Sequence, residues 1–157
     1  MKSYQVHCQE TCPDKKQFKL DLSYLQMAAI WGNNSHCNRS KVGCLVVKDK
    51  AIISDGYNGT PSGFPNPCED INNKTLNTVL HSEANAITKL AKGSFSSHGA
   101  TMYVTLSPCF DCAKLIIQSG IVRIVFSELY RVTDSFSLLT TAGIEVIQID
   151  ISHKSTQ

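Results

Sequence analysis

His81-Ser82-Glu83, followed one helix and one strand later by Pro108-Cys109-Phe110-Asp111-Cys112, constrains this chain more than any other feature. The two segments hold three metal ligands and one proton carrier, so the fold has to bring them to a single point. A Cys-x-x-Cys pair alone also fits a redox pair or half of a structural zinc site. The added His-x-Glu points instead to catalytic zinc, which needs three protein ligands and leaves its fourth position to water.

The chain has 157 residues, 42% hydrophobic and 18% charged, which suits one domain with a sizeable core. We expect a single unit over residues 1–157, with its core at about 20–150 and residues 1–17 as an N-terminal extension. Fifteen basic and thirteen acidic residues give a formal charge of +2, short of the excess expected of a nucleic-acid binder. A small anionic ligand is compatible with that balance. The chain starts Met1-Lys2-Ser3-Tyr4-Gln5, with no signal-peptide core, and no apolar run approaches a membrane span. The expectation is a cytoplasmic protein without a membrane partner. Seven cysteines are an odd number, and with no secretory signal they read as metal ligands and buried thiols rather than a disulfide framework.

The periodicity alternates between helical and strand-like. Residues 18–32 predict an amphipathic helix with Leu22, Leu25, Met27, Ala28, Ala29 and Trp31 on its apolar face. Trp31 and Met27 read as core or subunit interface. Residues 42–47 and 51–54 are short apolar runs joined at Lys48-Asp49-Lys50, a hairpin pattern. Residues 55–67, dense in Gly, Pro and Asn, predict a long loop, and such loops are often functional. A second helix starts near His81 and stops at Gly93, and residues 102–106 form a strand. Ser107-Pro108 reads as cap and first-turn proline of a helix over 109–119 closed by Gly120. Strand 121–126, helix 133–142 and strand 144–149 follow. Strands alternating with helices predict a sheet covered on both faces.

Cys109 and Cys112, three apart at a helix start, share one face next to the positive end of the backbone dipole, which favours thiolates. His81 completes the set. Glu83 can reach the water without being a ligand, and can move its proton to a ring nitrogen and a departing ammonia.

On these motifs the chain resembles the cytidine and deoxycytidylate deaminase superfamily, most closely the deoxycytidylate (dCMP) deaminases, from about Leu22 to Ile149. The resemblance is carried by Ser35-His36-Cys37-Asn38-Arg39-Ser40-Lys41-Val42-Gly43, by Gly56-Tyr57-Asn58-Gly59-Thr60-Pro61-Ser62-Gly63, and by the two zinc motifs. It implies an α/β fold, a three-layer α/β/α sandwich with a mixed five-stranded sheet, assembled as a hexamer or another homo-oligomer. It implies one catalytic Zn²⁺ per chain on His81, Cys109 and Cys112, with Glu83 as the proton shuttle. The expected reaction is hydrolytic deamination of dCMP to dUMP, feeding thymidylate synthesis.

Substrate residues follow from the same resemblance. Asn58 matches an asparagine that bonds the sugar, and Tyr130 a substrate-contacting tyrosine. Arg131 is a candidate for the phosphate, with Arg39 and Lys41 in reserve. Ser107 either faces the ring or only caps its helix. The Gly-Tyr-Asn-Gly loop is implied in regulation, with dCTP activating and dTTP inhibiting. Some members bind a structural zinc through cysteines matching Cys37 and Cys68 plus two histidines, but residues 71–80 contain no histidine. Cys37 and Cys68 therefore read as unmetalled thiols, unless His36 or the group His7, Cys8 and Cys12 stands in. His98 and His153 read as surface residues. Alternatives to the dCMP reading are a deaminase of cytidine, guanine or tRNA adenosine, the last disfavoured by the near-neutral charge, and a non-catalytic zinc nucleotide sensor, which the presence of Glu83 opposes.

Overall fold

The computed structural model describes residues 4–8 and 10–149. A mixed sheet runs in the order β1-β6-β5-β4-β2-β3, from β1 (Gln5–His7), β2 (Gly43–Lys48), β3 (Ala51–Tyr57), β4 (Thr101–Leu106), β5 (Arg123–Glu128) and β6 (Glu145–Ile149). β2 is antiparallel to β3 and β4, and the remaining pairs are parallel. The β2–β3 hairpin turns at Asp49 and Lys50, both at positive φ (50° and 64°), the backbone that a two-residue turn between right-twisted strands requires.

The period-2 pattern of β2 divides the core. Cys44 and Val46 face one side with Met102, Val104, Ile124 and Phe126, while Leu45 and Val47 face the other with Tyr103, Val125 and Ile147. The second face is covered by α1 (Lys15–Gly32) through Phe18, Leu25 and Ala28. The first is covered by α2 (Ser82–Leu90), α3 (Phe110–Gln118) and α4 (Ser135–Thr141), through Ala86, Ala113, Ile116, Phe136 and Leu139. The three expected layers are present.

The sheet has six strands where five were expected. Backbone left open along β6 recruits Gln5–His7 as a parallel edge strand. The Tyr4 ring anchors this segment against Phe126 and Phe136, with centroids at 5.8 and 4.8 Å. Three residues are too few to show a strand period. The expected N-terminal extension thus contains a strand and the first turn of α1, where the Asp14 carboxylate accepts the N–H groups of Lys16 and Gln17. The expected loop over 55–67 starts later, since β3 runs on to Tyr57. Met27 and Trp31 are not core: they are 45% and 40% exposed, and the Trp31 indole N–H donates to Asp55.

Two glycines set the helix distances. A Cβ on Gly43 would sit 1.8 Å from the Ala28 carbonyl oxygen, so β2 lies directly against α1. A Cβ on Gly56 would sit 2.1 Å from the Ser82 carbonyl oxygen, and the missing side chain lets the start of α2 press onto β3.

A charged network ties α1 to the sheet. The Asp21 carboxylate, buried under the helix, accepts both terminal nitrogens of Arg123 at 2.8 and 2.6 Å and the Tyr103 hydroxyl at 2.7 Å. Asp21→Ala strands the Tyr103 hydroxyl and both terminal nitrogens of Arg123, although Glu145 still holds the Arg123 Nε. The expected cost is about 3 kcal/mol, the lower end for breaking a buried pair, read as a lower urea midpoint at unchanged slope. A cost under about 1 kcal/mol would show that water replaces the carboxylate there.

Among the described residues no helix is long and apolar enough to cross a membrane. His153 lies outside the described residues.

Candidate active site

Two helix N-termini converge at the carboxyl end of β4. His81 is the N-cap of α2 and Cys109 the N-cap of α3, both in extended backbone, and neither side chain caps its own helix. Their side chains are thereby free to point at each other. The expected cap at Ser107 is displaced by two residues: Cys109 occupies that position because the extended stretch after β4 continues through Pro108. The Ser107 hydroxyl instead accepts the Tyr130 backbone N–H at 2.7 Å. Gly120, at φ 76°, follows the α3 C-cap as expected.

The Nδ1 of His81 lies 3.4 Å from the sulfurs of both Cys109 and Cys112. One N atom and two S atoms at zinc bonding distances in a tetrahedron are separated by about 3.5 Å, so the donor set and spacing fit zinc. Among the described residues this is the only group of three or more His, Cys, Asp or Glu side chains so arranged. His7, Cys8 and Cys12 do not form one; the Cys8 sulfur contacts Thr11, and that of Cys12 contacts His7 at 3.7 Å.

The electrostatics suit a cation. Cys109 is held down at about 4, first by its hydrogen bond from the Cys112 thiol and then by His81. Cys112 is pushed up, first by that same hydrogen bond and then by burial. Between them the sulfurs favour one negative charge, and a divalent ion would ionise both. His81 is raised, first by its contact with Cys109.

Glu83 is 3% exposed, and its Oε2 accepts the Ser82 hydroxyl at 2.9 Å. Burial raises its carboxyl above the ordinary value.

A cavity of about 440 Å³ opens from this cluster. Of the residues expected from sequence, His81, Glu83, Cys109, Asn58, Ser107, Tyr130 and Arg131 line it, as does Arg39; Lys41 does not, and its amine points to the Asn33 carbonyl. The Asn58 amide already accepts the Val42 N–H and donates to the Ser40 carbonyl, which leaves one N–H and one lone pair for a ligand. The guanidinium of Arg131 sits 5.6 Å from the Tyr130 ring centre.

Sequence reasoning missed Glu69, Lys74, Thr75 and Val79, which also line the cavity. They lie in the irregular stretch between β3 and α2, where no periodicity marks a position. The expectation of free thiols at Cys37 and Cys68 is overturned: they form a disulfide, with Cα atoms 5.0 Å apart. The neighbouring Glu69 carboxylate accepts the N–H groups of Asn38 and Arg39, which draws the two loops within disulfide reach.

Comparison with known proteins agrees with this architecture. Residues 19–128 match the family model for the cytidine and deoxycytidylate deaminase zinc-binding region. The chain is 33% identical to the deoxycytidylate deaminase of Saccharomyces cerevisiae over 85% of its own length, but spans only 46% of that protein. It is 34% identical to the deoxycytidylate deaminase of Enterobacteria phage T4, covering 80% of this chain and 87% of the phage one. The crystal structure of the dCMP deaminase of cyanophage S-TIM5 in complex with dCMP and dUMP superposes with a TM-score of 0.81 at 41% identity, covering 83% of this chain and 96% of that one. With the His-Cys-Cys cluster and its buried glutamate inside the matched region, the chain belongs to the cytidine and deoxycytidylate deaminase family.

Proposed function

We propose that this chain hydrolyses dCMP to dUMP and ammonia, and so supplies the precursor of thymidylate. The observation that carries the reading is the His81, Cys109 and Cys112 cluster, with buried Glu83 beside it, at the inner end of a cavity that also holds Arg39 and Arg131. The first part can perform the chemistry and the second can hold an anionic nucleotide.

His81, Cys109 and Cys112 would hold one zinc ion per chain, which would supply a Lewis acid able to lower the pKa of a water. Glu83 takes one proton from the attacking water and gives it to N3 of the cytosine ring, then takes the second proton from the new C4 hydroxyl and gives it to the departing amine, so that ammonia leaves as the C4 carbonyl forms. Ser82 holds one carboxylate oxygen, leaving the other for the proton. Asn58 contacts the sugar through its remaining amide capacity. Ser107 fixes the Tyr130 backbone, so Tyr130 borders the ligand, and Arg131 serves the phosphate. The ring chemistry does not distinguish a nucleotide from its nucleoside; charge-assisted contacts at the phosphate do.

The same reading includes a homo-oligomer, hexamer or dimer, in the cytoplasm. Met27, Ile30 and Trp31, exposed along α1, suit a subunit contact. The reading also takes dCTP and dTTP as effectors acting through the Gly-Tyr-Asn-Gly loop, beside a second cavity of about 370 Å³ lined by Tyr57, Asn58, Gly59 and Lys89.

Ammonia release should be measured across cytidine, deoxycytidine, CMP, dCMP and dCTP. The expected result is a kcat/KM for dCMP well over tenfold above that for deoxycytidine, since two charge-assisted bonds contribute about 3 kcal/mol or more. Equal values for the two would remove the dCMP assignment, and no release from any of them would favour a sensor.

A further inference from the structure

Two loops outside the sheet and helices complete the cavity wall, and they are tied to each other at successive residues. Cys37 is bonded to Cys68, and Glu69 Oε1 accepts the N–H groups of Asn38 and Arg39 at 3.0 and 3.1 Å. Arg39 returns across the gap to donate to the Thr75 hydroxyl at 3.1 Å. Glu69 and Thr75 are themselves bridged, so residues 69–75 close into a compact turn. Inside that turn the Asp70 carboxylate accepts the Asn72 and Lys74 N–H groups, the Asp70 N–H donates to the Lys74 carbonyl, and Asn73 turns the chain at φ 59°. Both backbone polar groups of Lys74 are therefore held, while its side chain lines the cavity that contains His81 and Glu83.

The charges along this wall do not cancel. Elsewhere Lys89, Lys114 and Arg123 each pair with a carboxylate. Among the described residues Arg39, Lys74 and Arg131 form no such ion pair, although all three line one cavity. The two acids of this turn, Glu69 and Asp70, each have one oxygen occupied by two backbone N–H groups. A concave wall with three cations in no ion pair and a backbone held from both sides suits a compact dianion.

We propose that Lys74 is a specificity-determining residue that joins Arg39 and Arg131 in reading the substrate's 5′-phosphate, and that Glu69 is the positioning residue that holds the Arg39 loop for this task. The proposal rests on the reading of the site as a deaminase of a pyrimidine nucleotide. It adds a phosphate contact from a loop that has no recognisable motif.

Lys74→Ala should lower kcat/KM for dCMP by about tenfold or more, the scale of one charge-assisted bond, while the slow turnover of deoxycytidine stays the same. Lys74→Arg should restore most of the loss. Glu69→Ala should raise KM for dCMP with little change in kcat, and Glu69→Gln, whose amide oxygen can still accept both N–H groups, should keep the wild-type KM. The affinity for dUMP, measured by calorimetry, should fall in Lys74→Ala in parallel with kcat/KM.

If the wild type prefers dCMP and Lys74→Ala keeps the same dCMP-to-deoxycytidine ratio, this inference fails while the deaminase reading stands. Equal loss toward both substrates in Lys74→Ala would also overturn it, since the residue would then serve folding or chemistry rather than recognition. If the wild type shows no preference for dCMP, the reading itself fails and the inference with it. A KM raised equally by Glu69→Ala and Glu69→Gln would remove the positioning role of Glu69.

Discussion

Glu83→Gln is expected to lose turnover by at least about 10²- to 10⁴-fold, the typical worth of general acid–base catalysis, because here one group performs both transfers. The variant should keep its fold. Glutamine has nearly the same shape, its amide oxygen can still accept the Ser82 hydroxyl, and a neutral amide is less costly to bury than the carboxylate at a site only 3% exposed. It should also keep its metal, since Glu83 is not one of the three clustered ligands. Steady-state ammonia release with metal analysis on the same sample checks both halves. A variant that retained a tenth of wild-type turnover would exclude Glu83 as the shuttle.

Cys112→Ser is expected to abolish activity and to reduce zinc from one per chain to a small fraction. The hydroxyl does not ionise at neutral pH, and Cys109 alone would then supply sulfur beside His81. The stability effect follows from linkage: a ion that binds only the folded chain stabilises it in proportion to the logarithm of its saturation. Added chelator should therefore lower the melting temperature of the wild type by several degrees and leave that of Cys112→Ser unchanged. The chain retains two hydrophobic clusters on the faces of its sheet, so the variant should melt lower rather than fail to fold. Two stoichiometric zinc ions in the wild type would mean that a second ligand group exists beyond the one described. Equal response of both proteins to chelator would place the metal elsewhere.

The zinc motifs were readable because their chemistry is local. Cys109 and Cys112 lie three apart at a helix start, so spacing brings them to a common side, whereas His81 and Glu83, two apart, share the site because His81 is an extended N-cap rather than a helical residue. The short apolar run of β2 and the glycine after α3 were readable for the same reason: each reflects local geometry over a few residues. The Ser107 cap was misplaced by two positions because helix boundaries depend on where the preceding strand releases the chain.

By itself, the sequence determined the alternation of strands and helices and the family, and it named the three residues that the fold clusters, His81, Cys109 and Cys112. Only the tertiary structure decided how many strands the sheet has, which face of α1 is buried, and what the residues between β3 and α2 do. The sixth strand exists because β6 leaves an open edge, a property of the assembled sheet rather than of Gln5–His7. Asp21 is buried because Arg123, on β5, lies beneath α1. The Cys37–Cys68 bond and the grip of Glu69 on Asn38 and Arg39 join segments some thirty residues apart, as the separations of 31 and 30 show. No periodicity records such pairings, because loop closure depends on where the sheet and helices deliver the two ends of each loop, and that is settled only when the core has packed.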